Sequence, residues 1–318
     1  MSDQQPKKRR GRAAPPKTDA IPAPSDFRRA NEKMLQNIGK LLQEREFGSA
    51  DEANAYLQNL LASGGLPAQS GARTPLEQAQ DLMYDAWEAS GSRRVKLARQ
   101  ALEISPDCAD AYVLLAEEAR SLRDAKKLYE QGVAAGERAL GPQMFDEGVG
   151  HFWGIIETRP YMRARQGLAS CLWQLGERRQ AIEHYTDMLR LNPGDNQGIR
   201  YSLVHCLLRE GDDAAVGKLL GQYEDDAMAE WAYTRALWLF RREGAGRKAD
   251  AALRKALKQN TFVPAYLLGK KRLPRSLPAY VGLGDESEAV SYAASALGEW
   301  RKTPGALEWL SNSLSASA

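Results

Sequence analysis

The chain has 318 residues, of which 43% are hydrophobic and 27% charged, with a formal net charge of +3. Helix formers (Ala, Leu, Arg, Glu, Gln) dominate, runs of Val, Ile and Thr are nearly absent, and no apolar run reaches the roughly 18 residues of a membrane span, which argues against a sheet protein and a transmembrane helix. Three scattered cysteines, Cys108, Cys171 and Cys206, without a CxxC pair argue against a disulfide framework and for a reducing compartment.

Residues 1–26 are rich in Pro, Lys and Arg and hold one large apolar residue, Ile21, so a disordered basic tail is expected there. No apolar stretch follows its charges, so no secretory leader is expected. Through Arg29, eight basic residues against three acidic ones give +5, which leaves −2 for the rest of a chain of net +3. The run Lys7, Lys8, Arg9, Arg10 and Arg12 fits a nuclear localisation signal, a phosphate-binding arm or a solubilising tail. Nucleic-acid contact through such an arm would be weak, salt-sensitive and blind to base sequence.

Residues 27–61 predict a small helical pair. Met34, Leu35, Ile38, Leu41 and Leu42 share one helix face, and Ser49 with Glu52 reads as a capping box opening a second helix with Tyr56, Leu57 and Leu60 on its apolar side. Two short helices bury little alone, so docking on the remainder of the chain is expected, with dimerisation or partner binding as alternatives. Residues 62–74, with Gly64, Gly65 and Pro67, read as a linker.

From 75 to 310 the chain repeats itself. Gly176 matches Gly244, Ala181 matches Ala249 and Asn192 matches Asn260, each 68 residues on, twice a 34-residue period. Ala169 and Ala181 fall where two helices of a pair meet, Leu168, Leu172, Ile182, Tyr185 and Leu189 form the apolar spacing, Gly176 ends the first helix and Pro193 stops the second. Units starting at Met162, Asn196 and Glu230 follow this scheme; upstream, one helix runs through Leu97–Ile104 and a further pair is built on Tyr112, Leu115, Ala116, Leu128, Tyr129 and Gly132. The fold class is therefore all-α, a tetratricopeptide-type helix-turn-helix solenoid expected to form a right-handed superhelix with a concave, partner-binding face. Residues 311–318 are expected to be a disordered tail.

Residues 141–159 exceed the period and carry five glycines or prolines, so they read as a loop insertion. Within it His151, Phe152 and Trp153 form the least explained run: either the aromatics fill a gap between repeats, or the three residues contact a ligand. His184 and His205 read as helix residues of the repeats. No P-loop, nucleophile elbow, HExxH or CxxC pattern is present, so no enzyme activity, metal or cofactor is expected.

The second, fifth, ninth and twelfth positions of each first helix face the groove. They are Arg163, Gln166, Ser170 and Trp173 in one unit, Gln197, Arg200, Val204 and Leu207 in the next, and Asp110, Val113, Glu117 and Arg120 upstream. Arg163 and Arg200 with Gln166 and Gln197 suit a fork for a carboxylate or acidic peptide, with aromatic packing at Trp173 and Tyr201. The competing reading pairs these arginines with neighbouring acids such as Asp195 and Glu157. Asp195 and Asn196 read as N-cap residues of the next helix.

The segment from Lys255 to Leu310 resembles the end of the suppressor-of-tumorigenicity family. It has a helix ending in Asn260, then Val263-Pro264-Ala265-Tyr266-Leu267-Leu268, a proline-rich turn, Gly284-Asp285-Glu286-Ser287-Glu288-Ala289, a helix with Trp300, and Gly305-Ala306-Leu307. His151-Phe152-Trp153, Thr158–Tyr161 and the Asp195–Tyr201 stretch look like soluble bacterial tetratricopeptide proteins, whose Cys-rich metal-binding tails have no counterpart here. The resemblance implies a scaffold or regulatory role, residues 261–310 as a cap, and no known reaction; the membrane segments of eukaryotic members are not expected. The sequence thus predicts a cytoplasmic (nuclear, if eukaryotic) module that binds a protein or peptide in its groove, with nucleic-acid association through the basic tail as the alternative.

Overall fold

The computed structural model describes residues 27–43, 45–62 and 73–315. The basic run from Lys7 to Arg12 and most of the 62–74 linker lie outside them. Fifteen α-helices and one 3₁₀ turn, and no strand, occur among the described residues. The described residues divide into two compact units, one running up to Asp225 and the other starting at Asp226.

The first unit holds ten helices: α1 (Phe27–Gln43), α2 (Ala50–Ala62), α3 (Pro75–Glu88), α4 (Ser92–Ile104), α5 (Ala109–Glu117), α6 (Leu122–Glu147), α7 (Arg159–Gln174), α8 (Arg178–Leu191), α9 (Ile199–Glu210) and α10 (Asp213–Gln222). From α3 onward they alternate as first and second helices of stacked pairs. Thr74 starts the stack with a reciprocal capping box: it accepts from the Glu77 N–H, while the Glu77 carboxylate accepts from the Thr74 N–H. Small residues let the helices close on one another. Ala79, Ala86, Ala98, Ala101 and Ala111 are buried around Met83 and Leu114, and Gly132 and Gly136 on α6 face Ala164 and Tyr161 on α7. Gly176 takes φ +85 after α7, and the Glu177 N–H closes back on the Leu172 carbonyl at 2.9 Å.

The 141–159 stretch is less irregular than its glycines and prolines suggested. Gly141 (φ +70) breaks α6, but the helix resumes at once and runs to Glu147. Proline's fixed φ suits the first turn of a helix, so Gly141-Pro142 restarts the helix rather than ending it. Only residues 148–158 remain irregular, and they include the 3₁₀ turn Ile156–Thr158.

The second unit contains α11 (Ala229–Glu243), α12 (Arg247–Gln259), α13 (Val263–Leu267), α14 (Glu286–Lys302) and α15 (Ala306–Ser315). Its core joins Tyr233, Leu237, Leu253, Tyr292, Trp300 and Leu310. The last helix continues to Ser315, past the expected end of order at 310, because Trp309 and Leu310 are buried and the Ser313 hydroxyl bonds back to the Trp309 carbonyl at 2.9 Å. In the family-like segment the Asp285 carboxylate caps α14, accepting from the Ser287 and Glu288 N–H groups.

Candidate functional site: a carboxylate clamp on the first-helix face

The first helices α3, α5 and α7 stand side by side in the first unit, and α1 lies across the face they share. Arg163 on α7 is at its centre. Its side chain is 3% exposed. Its Nε and Nη2 donate to the two oxygens of Asp110 on α5 at 2.7 and 2.5 Å. Its Nη1 donates to both oxygens of Glu32 on α1 at 2.9 and 2.8 Å. Arg159, one turn earlier on α7, adds a contact to Glu32 at 3.3 Å. Beneath the guanidinium lies the Trp87 ring, 5.2 Å away. Asp110 is wholly buried and also accepts from the Gln80 amide at 2.8 Å.

The electrostatics follow from this geometry. Burial alone would pull the Arg163 pKa down, but Asp110 and Glu32 outweigh it and hold the guanidinium above its usual value. Burial, reinforced by Asp110 and Glu32, pushes the Tyr84 phenol up. Burial pushes the Cys108 thiol up to about 12, so it is an inert packing residue.

α1 is held largely by polar contacts. Besides Glu32, Gln36 accepts from the Tyr84 hydroxyl at 3.4 Å, Lys40 pairs with Glu77 at 2.5 Å, and Lys33 sits 3.8 Å from Asp85. Leu41 is buried, whereas Met34 and Leu35, expected on the docking face, are 48% and 39% exposed. The charge pairs, rather than the apolar spacing, set the rotation of the helix.

The structure corrects the expected fork. Arg163 and Arg200 do not converge. Arg200 pairs with Asp195 at 2.9 Å, donates to the Tyr201 hydroxyl at 2.7 Å, and lies over the Tyr201 and Tyr223 rings. Gln197 donates to Gln166 at 2.8 Å, and Trp173 is buried in its own repeat under Arg178. The companion of Arg163 is Arg159, four residues earlier on the same helix; that spacing was the available signal. Glu32, Tyr84 and Trp87 carried no such mark. Asp195 lies three residues before the N-cap, Gly198, yet its carboxylate accepts from the Ile199 and Arg200 N–H groups at 2.7 and 2.9 Å.

The 148–158 loop is tied to the repeats. Phe152 is wholly buried against Phe145 and Tyr161, and its N–H and that of Gly150 donate to the Leu191 carbonyl. Trp153 stacks under Arg159, which donates to its carbonyl, while His151 is exposed. The aromatics therefore fill the gap between repeats. A shallow cleft of about 440 Å³ opens beside Glu137, Gly141, Phe145 and Arg165. Its arginine is spent on neighbours, since Arg165 donates to the Tyr161 hydroxyl, His184 and Asp187. Among the described residues no group of three or more His, Cys, Asp or Glu is placed to hold a metal ion, and no helix is long and apolar enough to cross a membrane.

A family model described as ST7 protein matches residues 71–317. The chain belongs to the ST7 family. Suppressor of tumorigenicity 7 protein-like of Bos taurus is 32% identical over 259 residues, covering 74% of this chain and 46% of that protein. Suppressor of tumorigenicity 7 protein of Macaca fascicularis is 29% identical over 284 residues, covering 74% and 52%. This ST7-family chain spans about half the length of the curated relatives it matches. A solved crystal structure of YrrB, titled a TPR protein with an unusual peptide-binding site, aligns over 70% of this chain and 91% of that one, at 19% identity and a TM-score of 0.38. The family motif residues at 263–268 and 284–289 are those that build α13 and cap α14.

Proposed function

We propose that this ST7-family chain is a non-enzymatic protein-binding scaffold, and that the first-helix face of α3, α5 and α7 receives a segment of a partner protein. The observation that carries the reading is α1: a seventeen-residue helix is already accommodated on that face, by charge pairs and a few apolar contacts. A face that holds one helix in this way has the width and polar groups to hold another. The repeat period through 162–260 supports it as well, since stacked helix pairs create an extended surface without building a reaction centre. Three free, buried cysteines fit a reducing compartment such as the cytoplasm.

The test is capture of partners by the full chain at moderate salt, compared with an Asp85→Lys variant that alters the rim of the face and leaves Arg163 and the α3 cap alone. Loss of a defined set of proteins from the variant supports the scaffold reading. Capture of nucleic acid alone, lost with rising salt and unaffected by the variant, would replace it with binding through the basic run at Lys7–Arg12.

A further inference from the structure

We infer that Arg159 and Arg163 form a binding site for a carboxylate carried on an amphipathic helix of a partner protein, and that α1 fills this site in cis as an exchangeable stand-in. The inference deepens the scaffold reading and rests on it.

Asp110 neutralises one of the two guanidiniums, and Glu32 neutralises the other. Once α1 departs, the floor of the face carries one uncompensated positive charge backed by the Trp87 ring and α7, and water replaces a two-oxygen contact poorly in a partly enclosed site. An occupant must therefore bring an acid. The rim has the opposite sign: Glu77 and Asp85 on α3 meet Lys40 and Lys33. This fixes a pattern along the visiting helix: an acid, a lysine one position on, an amide four positions on and a second lysine eight positions on. α1 satisfies it with Glu32, Gln36 and Lys40, which the i, i+4 and i, i+8 spacings of a helix bring to one side, and with Lys33, about 100° round the helix from Glu32.

Three features make α1 replaceable. Outside the buried Glu32 contact its ion pairs, Lys40 with Glu77 and Lys33 with Asp85, lie at a partly exposed rim, where such pairs are weak. It leaves Met34 and Leu35 outside, so its apolar hold is confined to Leu41 and the half-buried Ile38 and Leu42. Gly39 and Asn37 in its middle lower its own helix propensity. A partner helix with the same charges, better propensity and apolar residues beside Leu41's place would displace it.

The probe is a fluorescent synthetic peptide of residues 27–43, titrated by anisotropy into the full chain. The first comparison is with a full-chain Glu32→Ala, Lys40→Glu variant, whose changes lie on α1 and leave the receiving face intact. The opened variant is expected to bind the peptide at least about tenfold more tightly than the unaltered chain, and a peptide with Glu32→Ala about tenfold more weakly. If both peptides bind the opened variant equally, the clamp fails while the scaffold reading stands. If neither binds although the variant's thermal melt matches that of the unaltered chain, the reading of this face as a receiving surface fails too. A second measurement needs no variant. Excess unlabelled peptide should speed amide exchange in α1 of the unaltered chain by about tenfold and leave α5 and α8 unchanged. Unchanged exchange in α1 at peptide concentrations that saturate the chain would show that α1 is a fixed structural element, and would overturn the exchange.

Discussion

Arg163 and Glu32 stand 131 positions apart in sequence and meet through one guanidinium nitrogen that reaches both carboxylate oxygens. The same guanidinium holds Asp110, 53 positions away, so a single cation joins α1, α5 and α7. Both carboxylates depend on that one guanidinium, and the consequences can be measured.

Replacing Arg163 with Met should leave Asp110 buried and unpaired. Breaking one side of a buried pair costs about 3–5 kcal/mol. Arg163→Lys should recover little, because one ammonium cannot bridge two carboxylates as the planar fork does. Adding Asp110→Asn to Arg163→Met should return part of the loss, since the buried charge is then gone. Urea unfolding of the three variants reads this, and a loss below about 1 kcal/mol for Arg163→Met would contradict the buried network.

Two glycine-to-alanine changes should move stability in opposite directions. A Cβ at Gly167 would run into the Tyr129 ring, so the α6–α7 packing must open, at a cost of roughly 1–3 kcal/mol despite alanine's better helix propensity. Gly298 on α14 is exposed with no heavy atom within 4 Å of the added carbon, so alanine there should stabilise by about 0.4–1 kcal/mol. Thermal melts of both variants check the pair.

Glu288 in the second unit is buried and accepts from the Ala229 N–H, the Asn260 amide and the Gly284 N–H at 2.8, 2.8 and 2.9 Å. Glu288→Ala strands three donors, at roughly 1–3 kcal/mol for each left buried. Glu288→Gln keeps one acceptor oxygen and should lose clearly less. Chemical denaturation followed by tryptophan fluorescence reports the difference, and equal losses would mean the contacts carry little.

His184 gives a pH dependence. Burial first, and then the nearby Arg165 guanidinium, lower its pKa below the ordinary 6.5, against the opposing pull of Asp187 and Glu183. The unfolded chain therefore takes up the proton before the folded chain does. The stability contributed by neutral His184 is complete above pH 6.5 and is lost as pH falls from 6.5 toward the lowered folded value. Melting temperature between pH 8 and pH 5 should decline on the acid side in the unaltered chain and less so in His184→Gln. Parallel profiles would refute the assignment.

The repeat was legible because its determinants are local. Ala181 must be small because the paired helix lies one turn away in the same unit, and Gly176 must accept a positive φ because its helix ends there. The groove positions Arg163 and Asp110 were also legible, since the period assigns them, but their pairing was not. Periodicity gives the direction of a side chain along one helix and says nothing of which neighbour on the next helix it meets. At Gly141-Pro142 the sequence was ambiguous in itself, because the same dipeptide ends one helix and starts another.

By itself, then, the sequence determined an all-helical stack of 34-residue pairs, its small-residue contacts and its family-like C-terminal segment, all set by interactions within about one or two units of chain. Only the tertiary structure decided that α1 crosses α3 and α7 and that Glu32 completes the charge of Arg163. Those facts depend on how successive pairs rotate against one another and on where a distant helix finds its missing charge, and no local spacing encodes either.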